Sequence, residues 1–475
     1  MITLERKNSF QLRLARTLKE ETSHHLDVYL FVPGELGLST HLISEEALYH
    51  SAVHAKRTYY SDTHHLPLVL SRLSRRNRLG SDYYRLNLSL YAYQYVVAME
   101  RYTEELLTQA RKMRSTQGEA APSSARKEGE AAFPGADLVR QMEEAGELSD
   151  GILKRLRRNR PDDESLHKYF INIDNYLSWF TEQRLLALVA HMPRGREYQD
   201  VRRRFIDTCH RESAYRSEHR YNAERVVNDP TRMSNKMRLL RRLIEYPITL
   251  KQRSQELGGG EQKAVKALAT AVVMMFVSFS ILRLRVALGD ITALFVLAMA
   301  VLYAMREVFK DDLRNTLWRL LRKGRPKWRR QYLDATSNTL VGRQLEWFDY
   351  KRFTSLDEEI QRVRKRNVAQ REEVVVHYRS SSRMSPTRFL SGYEHTRETL
   401  TLDMAMLTRL MSKGKHHVYR LKEGQAVRES VERRHLFNLV VRETGSGETT
   451  LIARWKVVVS RSGIVDVEKV HEEGG

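Results

Sequence analysis

Apolar residues are unevenly spread along this chain, and their densest run lies between Ala264 and Met305. The first part, Ala264–Leu282, carries one charge, Lys266, close enough to the end to snorkel toward headgroups. Its length is near the roughly 20 residues that a helix needs to cross a hydrocarbon layer of about 30 Å. The second part runs from Ile291 to Met305, or from Val286 if Asp290 stands at an interface. Charges and a glycine in Arg283-Leu-Arg-Val-Ala-Leu-Gly-Asp290 mark a turn between them. The pattern predicts an antiparallel pair of transmembrane helices, 264–282 and 286–305; the competing reading is a buried helical hairpin in a soluble protein.

Elsewhere the pattern alternates between helical and strand periods. His24–Pro33 reads as a strand with Leu26, Val28, Leu30 and Val32 on one face, and 44–60 as a helix starting at Ser44. Tyr83–Met113 reads as a long helix, and 114–135, rich in small and charged residues, as a flexible linker. Helices follow at 136–158, 162–191, 196–224 and 231–255, the last kinked or stopped early by Pro247. Gly258–Gly260 reads as a swivel before the apolar run. Glu307–Arg330 and Glu358–Glu373 read as charged helices. The final hundred residues change character: a strand at 373–378, a helix at 398–412, then strands at 417–421, 435–442, 449–460 and 464–470 joined by glycine-bearing turns.

These elements predict a mostly α membrane protein. Its parts are an N-terminal α+β region (1–113), the linker (114–135), a helical domain (136–257), the transmembrane hairpin (264–305), a basic helical connector (306–371) and a C-terminal α+β domain with an antiparallel sheet (372–475).

Charge adds orientation. The formal net charge is +22. Basic residues crowd both outer ends of the apolar run, whereas its turn offers only Arg283 and Arg285, so both termini are expected in the cytoplasm at a bacterial inner membrane. Cys209 is the single cysteine, which excludes an intramolecular disulfide and a cysteine-built zinc site. The first ten residues lack the apolar core of a cleavable signal peptide.

The most suggestive polar stretch follows the apolar run. As a helix, 307–330 turns Phe309, Leu313, Leu317, Leu320 and Leu321 to one side. Its polar and aromatic residues Arg314, Trp318, Arg319, Arg322, Lys323, Arg325, Lys327, Trp328, Arg329 and Arg330 are candidates for contact with lipid headgroups. Packing of that apolar side on the helical domain, with solvated arginines, is the other reading. His50 and His54 stand four apart, as in helical metal pairs, with His64 or Asp62 as a third ligand; but Ser51 stands where a metalloprotease has glutamate, so no metal is expected. Gly445–Thr450 lacks a phosphate-binding lysine and reads as a turn, as does 422–425; Asp162–Glu164 reads as a helix cap. Ala267 with Ala271, and Ala300 with Ala304, form small-residue pairs suited to helix association. No catalytic motif appears, and no cofactor is expected.

The hairpin with Tyr303-Ala-Met-Arg-Glu-Val-Phe-Lys-Asp-Asp-Leu-Arg314, together with His435–Arg442 and Trp455–Ile464, resembles an uncharacterised family of bacterial two-pass membrane proteins. That resemblance implies no activity. The expected function is a non-enzymatic sensor, scaffold or regulator at the anionic leaflet, with the bilayer as partner and homo-oligomerisation through the hairpin. The alternatives are an oligomeric pore or membrane-perturbing effector, and a membrane-tethered nucleic-acid-binding or hydrolytic protein.

Overall fold

A computed structural model describes residues 2–18, 23–61, 81–119, 136–193, 195–288, 293–322, 324–364, 373–390, 393–412, 415–422, 424–445 and 450–470. Of the linker expected over 114–135, residues 114–119 belong to a helix and 120–135 lie outside the described residues, as do 289–292, 446–449, Asp62, His64, Lys323 and Glu423.

The chain divides into two compact units. The first is discontinuous, made of Met1–Thr58, Lys251–Leu333 and Asn338–Gly475. Its elements are β1 (Thr3–Arg6), β2 (Gln11–Leu18), β3 (Ser23–Val32), α1 (Glu45–Ala52), β4 (Val53–Tyr60) and β5 (Lys251–Glu256). After them come the helices Gly259–Leu288 and Ala293–Arg322, then β6 (Trp328–Leu333), β7 (Leu340–Arg352), a short helix Glu358–Arg364, β8 (Val374–Met384) and β9 (His395–Asp403). The remaining strands are β10 (Lys415–Lys422), β11 (Gln425–Glu432), β12 (Arg434–Gly445), β13 (Thr450–Ser460) and β14 (Gly463–Val470). With the helices of the second unit counted in chain order, these three helices are α7, α8 and α9.

An eight-stranded antiparallel sheet runs β14-β13-β12-β3-β8-β7-β6-β5. Strand β3 therefore lies between two C-terminal strands, Val28 opposite Val441 on one side and Tyr378 on the other. A four-stranded sheet, β1-β2-β9-β4, shares a core with one face of it: Leu12, Leu14, Leu400 and Leu402 pack with Val28, Leu439, Val441 and Val457. On the opposite face Leu356 and Ile360, next to and within α9, cover Tyr29, Phe31 and Val375. Leu26–Val32 of β3 and Phe437–Val441 of β12 are buried without a break, because successive side chains point to opposite faces and both faces are covered. Strands β10 and β11 form a separate exposed hairpin.

The second unit, Tyr59–Leu250 with Asp334–Ser337, is helical. It contains α2 (Ser81–Glu119), α3 (Ala136–Arg158), α4 (Glu164–His191), α5 (Gln199–Glu218) and α6 (Pro230–Glu245). Asp163 caps α4 through Ser165 N, and Asp229 caps α6 through Thr231 N and Arg232 N. Apolar stripes on these helices converge on one core that includes Tyr95, Met142, Phe170, Leu177, Phe205 and Ile244.

The mostly α two-pass architecture is overturned. The described residues are 53% helix and 31% strand, with three antiparallel sheets among them. Among the described residues one helix, Gly259–Val286, is long and apolar enough to cross a membrane. Helices α7 and α8 do pack along each other, but the apolar part of α8 stops at Met305 and is followed by Arg306, Glu307, Lys310, Asp311 and Asp312. That run is too short and too soon charged for a second span, and the placement of the termini inferred from two spans falls with it.

Local readings change for related reasons. The helix expected over 44–60 ends at Ala52 and continues as β4, because Val53, Arg57 and Tyr59 turn inward with a strand's alternation. The helix expected over 398–412 is strand β9 followed by the single turn Ala405–Thr408. The helix expected over 307–330 ends at Arg322, and Trp328–Arg330 begin β6.

Candidate functional site

The headgroup candidates divide once the helix is cut at Arg322. Trp328 and Arg330 are buried in the first unit. Trp328 stacks on Tyr49 at 3.7 Å between ring centroids, and Arg330 pairs with the buried Glu346 at 3.1 Å while bonding Tyr49 Oη. Neither is available to a headgroup, because outward exposure ends where β6 enters the sheet. Arg329 bonds Gln255, Arg314 pairs with Asp311 at 3.3 Å, and Arg325 pairs with Glu261 at 3.2 Å. Arg319 lies on α8; Lys323 is outside the described residues.

Trp318, Arg322, Lys327 and Trp328 do share one feature, a cleft of about 1150 Å³ within the first unit. It opens where β6 begins and β7 runs on past it, so that Trp347, Asp349 and Lys351 of β7 and His377 and Arg379 of β8 form a wall. Gly258, with φ +97°, forms part of the lining; a side chain there would meet Arg322 and Trp318. Arg322 sits over Trp318 at 5.3 Å and donates to the carbonyls of Leu257 and Lys327. Lys327 pairs with Glu45 at 2.6 Å and Asp349 at 2.8 Å. The lining thus offers Arg322, Lys327, Lys351 and Arg379 against Glu45, Glu46, Glu256 and Asp349, a balance that gives no net attraction for an anion.

At the wall of this cleft a histidine and a carboxylate meet. His377 Nε2 lies 2.8 Å from Asp27 Oδ1, and its ring stacks on Tyr29 at 4.4 Å. Asp27 also faces Arg379 at 3.2 Å and Arg442 at 3.3 Å. Burial pushes the Asp27 carboxyl up, but the bond from His377 and both arginines outweigh it and hold the group below its usual range. Burial, reinforced by Lys351 and Arg379, keeps His377 below the ordinary imidazole value. His377 is therefore neutral at pH 7 and donates through Nε2, with its tautomer set by Asp27. Its Nδ1 is buried and without a hydrogen-bond partner among the described residues.

A second polar cluster is closed inside the first unit. Glu398 is buried between Arg16 and Arg57, the latter at 2.9 Å, and Arg16 reaches Glu443 at 3.0 Å. Burial disfavours the Glu398 charge, yet the two arginines hold its carboxyl far below the usual range. Arg57 lies 4.5 Å over Tyr332, and Gln344 links Tyr332 to Tyr378. This chain of contacts ties both sheets together and has no opening for a substrate.

His50 and His54 fall on different elements. His50 is on α1 and packs edge-on to Trp328, while His54 is already in β4 and bonds the Ser51 carbonyl. Among the described residues no group of three histidine, cysteine or acidic side chains is placed to hold a metal. Cys209 is buried, and burial pushes its thiol up to about 11, far from a thiolate at neutral pH.

Sequence reasoning missed Asp27, His377, Arg16, Arg57 and Glu398. The only signal was a charged residue at an inward strand position, which a single sequence does not separate from a surface one. Comparison with protein-family models, curated proteins and solved structures gives no match for this chain.

Proposed function

We propose that this protein attaches to a lipid bilayer through α7 and works there without chemistry of its own, as a sensor, scaffold or regulator holding its sheet-built unit against an anionic leaflet. The observation that carries this reading is the surface of α7. Only the stripe Val265, Ala269, Val273 and Val277 is buried, while Leu268, Met275, Phe276, Phe279, Leu282 and Val286 are exposed, Met275 by 74% and Val286 by 81%. Exposed apolar area costs roughly 25 cal/mol per Å² in water, and a patch of this extent marks a surface meant to be covered. Lipid suits it because Ala271, Val272, Met274, Met275, Phe276 and Phe279 are all exposed and together cover more than half of the helix circumference, wider than the seam of one partner helix. Lys251 and Arg253 before α7, with Lys263 near its start, favour the cytoplasmic side for that end.

The test is fractionation followed by vesicle flotation. The full chain should pellet with membranes and float with vesicles containing acidic phospholipid. A variant with Met275, Phe276 and Phe279 all changed to glutamate should stay in solution and keep its circular dichroism. Recovery of the unaltered protein in a detergent-free high-speed supernatant would sink the reading.

A further inference from the structure

Helices α7 and α8 leave a groove of about 330 Å³ beside their seam, and its walls are apolar but for one residue. Val272, Phe276 and Val277 of α7 face Leu302 and Phe309 of α8 across it. The exception is Arg306, which is half-buried. Its guanidinium lies 5.6 Å from the Tyr303 ring, its Nε is buried without a hydrogen-bond partner, and no ion pair holds it among the described residues. The neighbouring carboxylate, Glu307, is taken by Lys310.

A charge drawn partly out of water beside hydrocarbon, with no counter-ion, is costly unless a ligand supplies one. A guanidinium is also the side chain best shaped to take two oxygens of a carboxylate or phosphate. The groove and the arginine together match an amphiphile: a hydrocarbon chain along the apolar walls and an acidic head on the cation. We propose that this groove binds one chain of an acidic lipid, with the headgroup oxygens on Arg306. The proposal rests on the membrane reading above and adds selectivity to it. The balanced polar cleft does not provide that selectivity, since its four cations stand against four carboxylates.

The probe is a spin-labelled long-chain fatty acid compared with its methyl ester, which differs only in the missing charge. Both are added to the full chain in bilayer discs of zwitterionic lipid, and the motionally restricted fraction is titrated. The acid should bind about tenfold more tightly than the ester, a difference of about 1.4 kcal/mol. Arg306→Gln should erase that preference, Arg306→Lys should keep part of it, and Val308→Trp, at an exposed position outside the groove lining, should leave it unchanged. Equal binding of acid and ester by the unaltered protein, or an acid preference that survives Arg306→Gln, would overturn the proposal. A protein that never enters the discs refutes membrane attachment instead, so the two failures are distinct.

Discussion

At the scale of single residues, the most exposed weakness of this protein is a buried charge. Glu398 is shared by Arg16 and Arg57 at a position that water does not reach, with Glu443 as the second partner of Arg16. Replacing it with glutamine leaves two guanidinium groups facing one neutral amide, and breaking such a pair costs on the order of 3–5 kcal/mol. Denaturant unfolding of E398Q should show a loss of that size. The sign of the pH effect follows from the depressed carboxyl. Its contribution is complete above the unfolded-state value near 4.5 and is lost as pH falls toward the lower folded value. The unaltered protein should therefore weaken steeply on acidification below about pH 4.5, and the curve for E398Q should be flatter there. Parallel acid limbs for the two proteins would show that Glu398 does not carry this sensitivity.

At the scale of elements, turns set the register that the alternating strands then keep. The β13–β14 connection turns at Gly463, with φ +145°, and the Ile464 amide bonds the Ser9 carbonyl. A methyl group on Gly463 would come within 2.3 Å of that carbonyl oxygen, which is backbone and has little room to give. Gly463→Ala should lower stability by more than about 1 kcal/mol, from the strained backbone and the clash together, as measured by thermal or denaturant unfolding. Gly424→Ala, which also has positive φ but open space around it, is the control for backbone strain alone. Such turns were legible in the sequence, as were the alternating strands near 435–470 and the long helices α2 to α4, because apolar period and turn residues agree there. The misread strands β4 and β9 have one cause. In β4 the inward position 57 is arginine, and in β9 the inward position 398 is glutamate, so the charged residues broke the alternation. Leu400, Met404, Leu407 and Met411 then mimicked a helical stripe across what is a strand and a turn. The partners that make those charges acceptable lie hundreds of residues away, as Arg16 does from Glu398, and no local window contains them.

At the scale of the whole molecule, what organises the chain is an insertion. The first unit is assembled from three separated segments, and its large sheet is complete only when β3 enters between β12 and β8. A C-terminal fragment beginning at Asn338 would lack that strand and also β5 and β6, so it should not fold by itself. The second unit leaves and returns at nearly one point, since the Tyr59 amide bonds the Ile248 carbonyl at 3.0 Å. The ends are close enough to be joined directly. Excising Ser61–Tyr246 and closing the gap with about four glycine and serine residues adds only a small loop-closure term. The shortened chain should keep a β-rich circular dichroism spectrum, a cooperative unfolding transition and flotation with vesicles, because α7 and both sheets remain. It should lose all of the helical signal contributed by α2 to α6. If the shortened chain aggregates or melts without cooperativity while the intact protein does not, the sheet-built unit depends on the helical one for its stability, and the division into two independent cores is wrong. If it folds but no longer floats, the helical unit contributes to the membrane contact and α7 alone does not account for attachment.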